Sequence, residues 1–261
     1  MIDRSRRYVR PQLALEDIPT LKGKRVAFDS VAEMLMVRAQ ETPEAIHVLF
    51  YDEVITYAQT NERANKVAHY LKEKGVVKGN IVSVMVLNSP EVYYTMFGAQ
   101  KLGAIAGAIN YMLKGPEIAY VLEDSKPKVA FVSSEYMGEF ARGWKLSSHK
   151  PTVVEVATGI DHGANIATGA LKEILDHYPT AECLVPQALE DPFLLLYSSG
   201  TTGSPNGILL SNKNQLTICK DRASMGASRA GDVMMIILPM FSPCSTRTPC
   251  ACIHTRSATR G

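Results

Sequence analysis

The chain has no uninterrupted apolar run approaching the ~20 residues that a bilayer-spanning helix needs, so no membrane span is expected. It also lacks a strong charge of either sign, since 28 basic and 26 acidic side chains leave a net +2. So weak a field gives no reason to expect nucleic acid or an anionic membrane as a partner. The N-terminus is basic, with Arg4, Arg6, Arg7 and Arg10, but no apolar core follows it. It does not read as a secretory signal, and a cytoplasmic location is expected. No internal repeat and no low-complexity run is present, and Trp144 is the one tryptophan. Cysteines are few and show no framework spacing: Cys183 and Cys219 read as small isolated thiols. Cys250, Cys252 and His254 are short of the four ordered ligands of a structural zinc site.

What is present is 46% hydrophobic residues, enough to build a core, in a chain long enough for one large domain or two modest ones. Short β-rich runs alternate with helical patterns. Ser30 and Glu33 read as a capping box opening a helix to about Gln40. Thr56 and Gln59 read as a second, with Ala64, Val67, Ala68 and Leu71 as its apolar stripe and Gly75 closing it. Strands are expected at 81–87, 104–109, 129–132, 153–156 and 193–197. Between them, Ser89-Pro90 and Gly115-Pro116 open helices, and 170–177 has helical spacing. Ser211 caps a helix to about Met225, and 233–238 reads as a last buried strand. Residues 145–149 and 158–168 read as loops. Strand–helix alternation implies an α/β fold with a largely parallel sheet. Ligand loops in such sheets sit at the carboxyl ends of strands.

One such end is distinctive. The apolar run Leu194-Leu195-Leu196 leads through Tyr197 into Ser198-Ser199-Gly200-Thr201-Thr202-Gly203-Ser204-Pro205-Asn206-Gly207. Glycines permit close backbone approach, and hydroxyls with bare N–H groups suit phosphate oxygens. Gly/Ser/Thr clusters are more often plain loops, and no Gly-Lys-Ser/Thr follows at Walker A spacing. For Pro205 and Gly207 turn chemistry is expected ahead of ligand contact. The histidines, among them His47, His69, His149 and His177, stand without partners at motif spacing and read as surface or satisfied residues.

The order of residues in that loop resembles the signature of the adenylate-forming superfamily, which comprises acyl-CoA synthetases, luciferase-like enzymes and nonribosomal peptide adenylation domains. The likeness extends upstream through the run from Ile55 to Leu71, the pair Gly75 and Gly79, and Asn88-Ser89-Pro90-Glu91. It continues through Lys101-Leu102-Gly103-Ala104, Asn110, Glu117, Leu122 and Asp124-Ser125. Two departures stand out: Asn206 occupies the position of the family's lysine, and Asn212 follows Ser211 where the family often has histidine. After Leu238-Pro239-Met240-Phe241 the likeness stops, with Ser242 in place of histidine. The expected organisation is an N-terminal extension over 1–29 and an incomplete N-terminal adenylation domain over 30–241, with a possible subdomain break near 186–191. Residues 242–261 form an atypical, disordered tail that a reading-frame change would explain.

The resemblance implies that ATP and a carboxylic acid, fatty, aryl or small, react to an acyl-adenylate, which coenzyme A then takes up as a thioester. It implies that Ser198, Ser199, Gly200, Thr201, Thr202, Gly203, Asn206 and Gly207 bind the nucleotide, with Thr201 or Thr202 reaching Mg²⁺. No catalytic residue can be placed, because the family's later motifs have no counterpart here. The expected chain is therefore a weakly active or inactive portion of an acyl-CoA ligase. The alternatives are a non-catalytic nucleotide-binding or interaction module, or an aberrant gene product. Oligomeric state is not readable.

Overall fold

A computed structural model describes residues 27–157, 166–198 and 205–224. The first helix, α1 (Val31–Glu41), starts where expected: the Ser30 hydroxyl accepts from the Glu33 N–H at 3.0 Å. The reciprocal bond differs, since the Glu33 carboxylate takes the N–H of Asp29 rather than that of Ser30. A hairpin follows, β1 (Ile46–Phe50) and β2 (Glu53–Thr56), paired antiparallel around Tyr51, whose φ is +49°. Helix α2 (Tyr57–Glu73) opens on a complete capping box, with Thr56 and Gln59 bonded in both directions. Gly75, at φ +73°, lets the chain turn off its end, and the Val76 N–H reaches back to the Leu71 carbonyl.

The main sheet holds seven strands, β3 (Ile81–Met85), β4 (Ile105–Ala108), β5 (Val129–Ser133), β6 (Thr152–Val156), β7 (Gly169–Ala170), β8 (Pro192–Ser198) and β9 (Asn206–Ser211). Their order is β7-β6-β5-β3-β4-β8-β9, parallel throughout except for the antiparallel β8–β9 pair. The helices are α3 (Pro90–Lys101), α4 (Gly115–Ser125), α5 (Met137–Leu146), α6 (Leu171–His177) and α7 (Asn212–Ser224).

Residues of β3, β5 and β6 feed two separate cores on opposite faces of the sheet. One face presents Val82, Val84, Phe131, Val154 and Leu196 to α1, α2, α3 and α6. The other presents Met85, Ala130, Val132 and Val153 to α4 and α5. Chain direction explains this division. The step β3–α3–β4 runs one way across the sheet, whereas β4–α4–β5 and β5–α5–β6 run the other way. With right-handed crossovers, a reversal of direction moves the helix to the opposite face. The reversal places a crevice at the carboxyl ends of β3 and β5, where the Leu87 N–H donates to the Ser133 hydroxyl at 3.1 Å.

Several expectations need correction. Gly207 is no turn residue; it lies inside β9, opposite Tyr197. Lys145 and Leu146 belong to α5 rather than to a loop. Ser89 precedes α3 as expected, yet its hydroxyl makes no capping bond. Among the described residues no helix is long and apolar enough to cross a membrane. The strand expected at 233–238 and the tail after Phe241 lie outside the described residues.

Candidate functional site at the end of β8

Strand β8 is buried through Phe193, Leu194, Leu195 and Leu196, because it lies between β4 and β9 and faces helices on one side. That apolar run delivers Ser198 to the carboxyl edge of the sheet. Strand β9 returns antiparallel, so Ser198 faces Asn206 and Tyr197 faces Gly207 across the neck of the intervening segment. Ser198, Asn206 and Gly207 are thus brought together. Ser199, Gly200, Thr201, Thr202 and Gly203 lie outside the described residues. Asn206 and Gly207 are exposed and Ser198 is partly so.

The neck holds a contact that sequence reasoning missed. The Tyr197 hydroxyl donates to the Asp124 carboxylate at 2.6 Å, linking β8 to the last turn of α4. Burial and the neighbouring Asp124 push the Tyr197 hydroxyl well up, so it stays a donor. Gly207 lies beside the ring. A Cβ there would stand 3.3 Å from Leu195 Cδ1, 3.5 Å from Tyr197 Cε1 and 3.7 Å from Asp124 Oδ2. Tyr197 and Asp124 each stood in the motif comparison, but nothing local connects residues 73 positions apart.

Other residues at this edge have structural duties. Asn110, just after β4, accepts from the Met112 N–H at 3.0 Å and shapes a turn. Ser134, after β5, donates to Glu155 at 2.8 Å. The Ser89 hydroxyl is buried without a protein partner. His47, His69 and His149 are satisfied residues, as expected, and His177 is exposed, while His162 lies outside the described residues. His149 pairs with the Pro127 carbonyl at 2.7 Å, and His69 with the Ala181 carbonyl at 2.9 Å. His47 Nδ1 meets the Thr60 hydroxyl at 2.9 Å, inside a cage of Tyr57, Tyr93 and Phe97. That hydroxyl already donates to the Thr56 carbonyl, so Nδ1 carries the proton. Burial pushes the His47 imidazole down to about 3. Among the described residues no three His, Cys, Asp or Glu side chains gather as metal ligands.

Comparison with known proteins agrees with this arrangement. The chain matches the family described as AMP-binding enzyme over residues 35–260. It is 31% identical over 207 residues to a fatty acid–[acyl-carrier-protein] ligase, ScoC, of Streptomyces coeruleorubidus, covering 78% of this chain and 38% of that protein. It is 31% identical over 214 residues to the long-chain-fatty-acid–CoA ligase FadD13 of Mycobacterium tuberculosis, covering 81% of this chain and 41% of that one. The fold superposes on the N-terminal domain of FACL13 from Mycobacterium tuberculosis with a TM-score of 0.68 at 28% identity, over 85% of this chain and 54% of that one. The chain thus spans about two-fifths of the length of these curated relatives. A match covering most of its residues, on a sheet with the signature segment at a carboxyl edge, places the chain in the AMP-binding enzyme family.

Proposed function

We propose that this chain supplies the phosphate-gripping part of an ATP-dependent acyl-CoA ligase. The single observation that carries the reading is the β8–β9 neck. It presents Ser198 and Asn206 opposite each other at the carboxyl edge of a mainly parallel sheet, with the hydroxyl- and glycine-rich segment between them.

The chemistry asks for charge control. A carboxylate oxygen of the acid attacks the α-phosphorus of ATP, forming the acyl–phosphate bond and expelling pyrophosphate. A thiol, coenzyme A in this reading, then attacks the acyl carbon and releases AMP. Substrate and nucleotide are both anions, so donors must meet the charge as it moves onto the leaving group. Backbone N–H groups and the hydroxyls of Ser198, Ser199, Thr201 and Thr202 would serve the β- and γ-phosphates, with Gly200, Gly203 and Gly207 permitting close approach. Thr201 or Thr202 would hold Mg²⁺, whose contribution is to neutralise phosphate charge. Asn206 donates a neutral hydrogen bond where the family's lysine brings a charge, and a charge-assisted bond is about twice as strong. The acyl-ligase names of the relatives favour a carboxylic acid as second substrate.

The test is calorimetric titration of the full chain with ATP, followed by a pyrophosphate-release assay with fatty, aryl and small carboxylic acids. The expected result is weak ATP binding with little or no pyrophosphate release, since Asn206 brings no charge to the phosphates. A folded chain that shows no ATP binding refutes the reading. Strong pyrophosphate release would refute the expectation of low activity.

A further inference from the structure

We infer that Tyr197 and Asp124 form a positioning pair that fixes the neck of the phosphate segment against α4. The inference deepens the proposed function and rests on it.

Three observations converge. Tyr197 immediately precedes Ser198 and faces Gly207, so its side chain stands at the point where both arms leave the sheet. Its hydroxyl donates at 2.6 Å to a carboxylate in a different layer, and so fixes the neck relative to the body of the fold. Finally, Asp124 occupies an unfavourable place for its own helix. A carboxylate in the last turn is opposed by the carbonyl end of the dipole. The helix end is closed without it, by Lys126 at φ +45° and the Lys126 N–H to the Leu122 carbonyl at 3.0 Å. Capping therefore does not explain Asp124, whereas the tyrosine does.

Beyond the neck, β9 is the edge strand, and Ile208 and Leu209 are 46% and 57% exposed. Its register therefore rests on the backbone ladder with β8, with little side-chain burial at Ile208 and Leu209 to reinforce it next to the neck. A phosphate grip works by donors already in place before the ligand arrives, and freedom at the neck would have to be lost on binding. The Tyr197–Asp124 bond removes part of that freedom in advance. Neither residue need touch the nucleotide.

The experiment uses the full chain and four variants, Tyr197→Phe, Asp124→Asn, Asp124→Ala and the double variant Tyr197→Phe/Asp124→Ala. Three quantities are read: the ATP dissociation constant, the thermal midpoint, and amide exchange at Leu196, Ser198, Gly207 and Ile208. Tyr197→Phe and Asp124→Ala should each weaken ATP roughly threefold to tenfold, the range set by one hydrogen bond. Asp124→Asn, which keeps an acceptor, should recover part of the loss, and the double variant should be no worse than either single one. Exchange at the neck should quicken in both single variants. A bond that is structural only would lower the thermal midpoint and leave ATP affinity and neck exchange as in the wild type, which overturns the inference. A wild-type chain that ignores ATP, while Tyr197→Phe still loosens the neck, refutes the phosphate reading and leaves the pair as a clamp. No loosening at all refutes the clamp.

Discussion

Lys101 ends α3 with its side chain wholly buried, and its ammonium lies 2.7 Å from Glu182 Oε1, whose side chain is 32% exposed. Glu182 sits on the irregular stretch 178–191, which crosses α2 and α3. It also accepts from Asn61 Nδ2 at 3.2 Å and from the Cys183 N–H at 3.1 Å. Burial pulls Lys101 below its ordinary 10.5, with the Glu182 charge opposing. Burial pushes Glu182 up, but the charge and hydrogen bonds of Lys101 outweigh it and hold the carboxyl below its ordinary value. The two ends of the pair are therefore unequal. Glu182→Gln keeps an acceptor at Oε1 for the Cys183 N–H and Lys101, turns an amide NH₂ toward Asn61 in place of Oε2, and leaves a buried ammonium without its counter-charge, at a cost of about 3–5 kcal/mol. The ceiling is set by proton release: neutralising a lysine of ordinary value at pH 7 costs at most about 4.8 kcal/mol. Lys101→Met keeps the stem's volume and leaves Glu182 free to hydrate, so it should cost only about 1 kcal/mol. Urea unfolding at pH 7 measures both, and the glutamine variant should also melt roughly 6–20 °C lower. The linkage sign gives a second check. In Glu182→Gln the folded lysine releases its proton more readily than the unfolded one, so stability should recover as pH rises toward 10. A glutamine variant as stable as the methionine variant would refute the argument.

The remaining expectations are briefer. Asn206→Lys should tighten ATP by about fivefold in calorimetry, the gap between a neutral and a charge-assisted donor, if the segment binds phosphate. Gly98→Ala would place a Cβ 2.5 Å from Val67 Cγ1 and 3.1 Å from the Ala64 carbonyl, where α2 and α3 touch. A loss of about 1–3 kcal/mol in urea unfolding should follow, with partial recovery in Gly98→Ala/Val67→Ala. His47 is held down to about 3 by burial, so between there and 6.5 the unfolded chain binds a proton that the folded chain refuses. Stability is full above 6.5 and falls as pH drops; from pH 7 to 4.5 His47→Phe should lose about 2–3 kcal/mol less than the wild type.

Elements marked by a local device were legible in the sequence. Ser30 and Thr56 accept capping bonds, Gly75 turns at positive φ, and prolines stand in the first turns of α3 and α4. Elements created by tertiary contact were not. The hairpin of β1 and β2 turns at Tyr51, a residue without the Asn-Gly or Asp-Gly signal. Helix α5 contains Gly138 and Gly143, two residues of low helix propensity. Gly143 is there because a Cβ would meet Ile118 at 2.6 Å, so the residue that weakens the local pattern is what brings α5 onto α4.

The same logic divides the candidate site. Residue order around Ser198–Gly207 marked the segment, because that order of glycines and hydroxyls resembles the family signature. The support beneath it was hidden by separation along the chain. Gly207 shows how. Beside Pro205 it reads as turn chemistry, yet it lies in a strand, opposite Tyr197, whose hydroxyl reaches Asp124. Only the register of β8 against β9, together with α4 packed on the far core, joins these three residues into one neck.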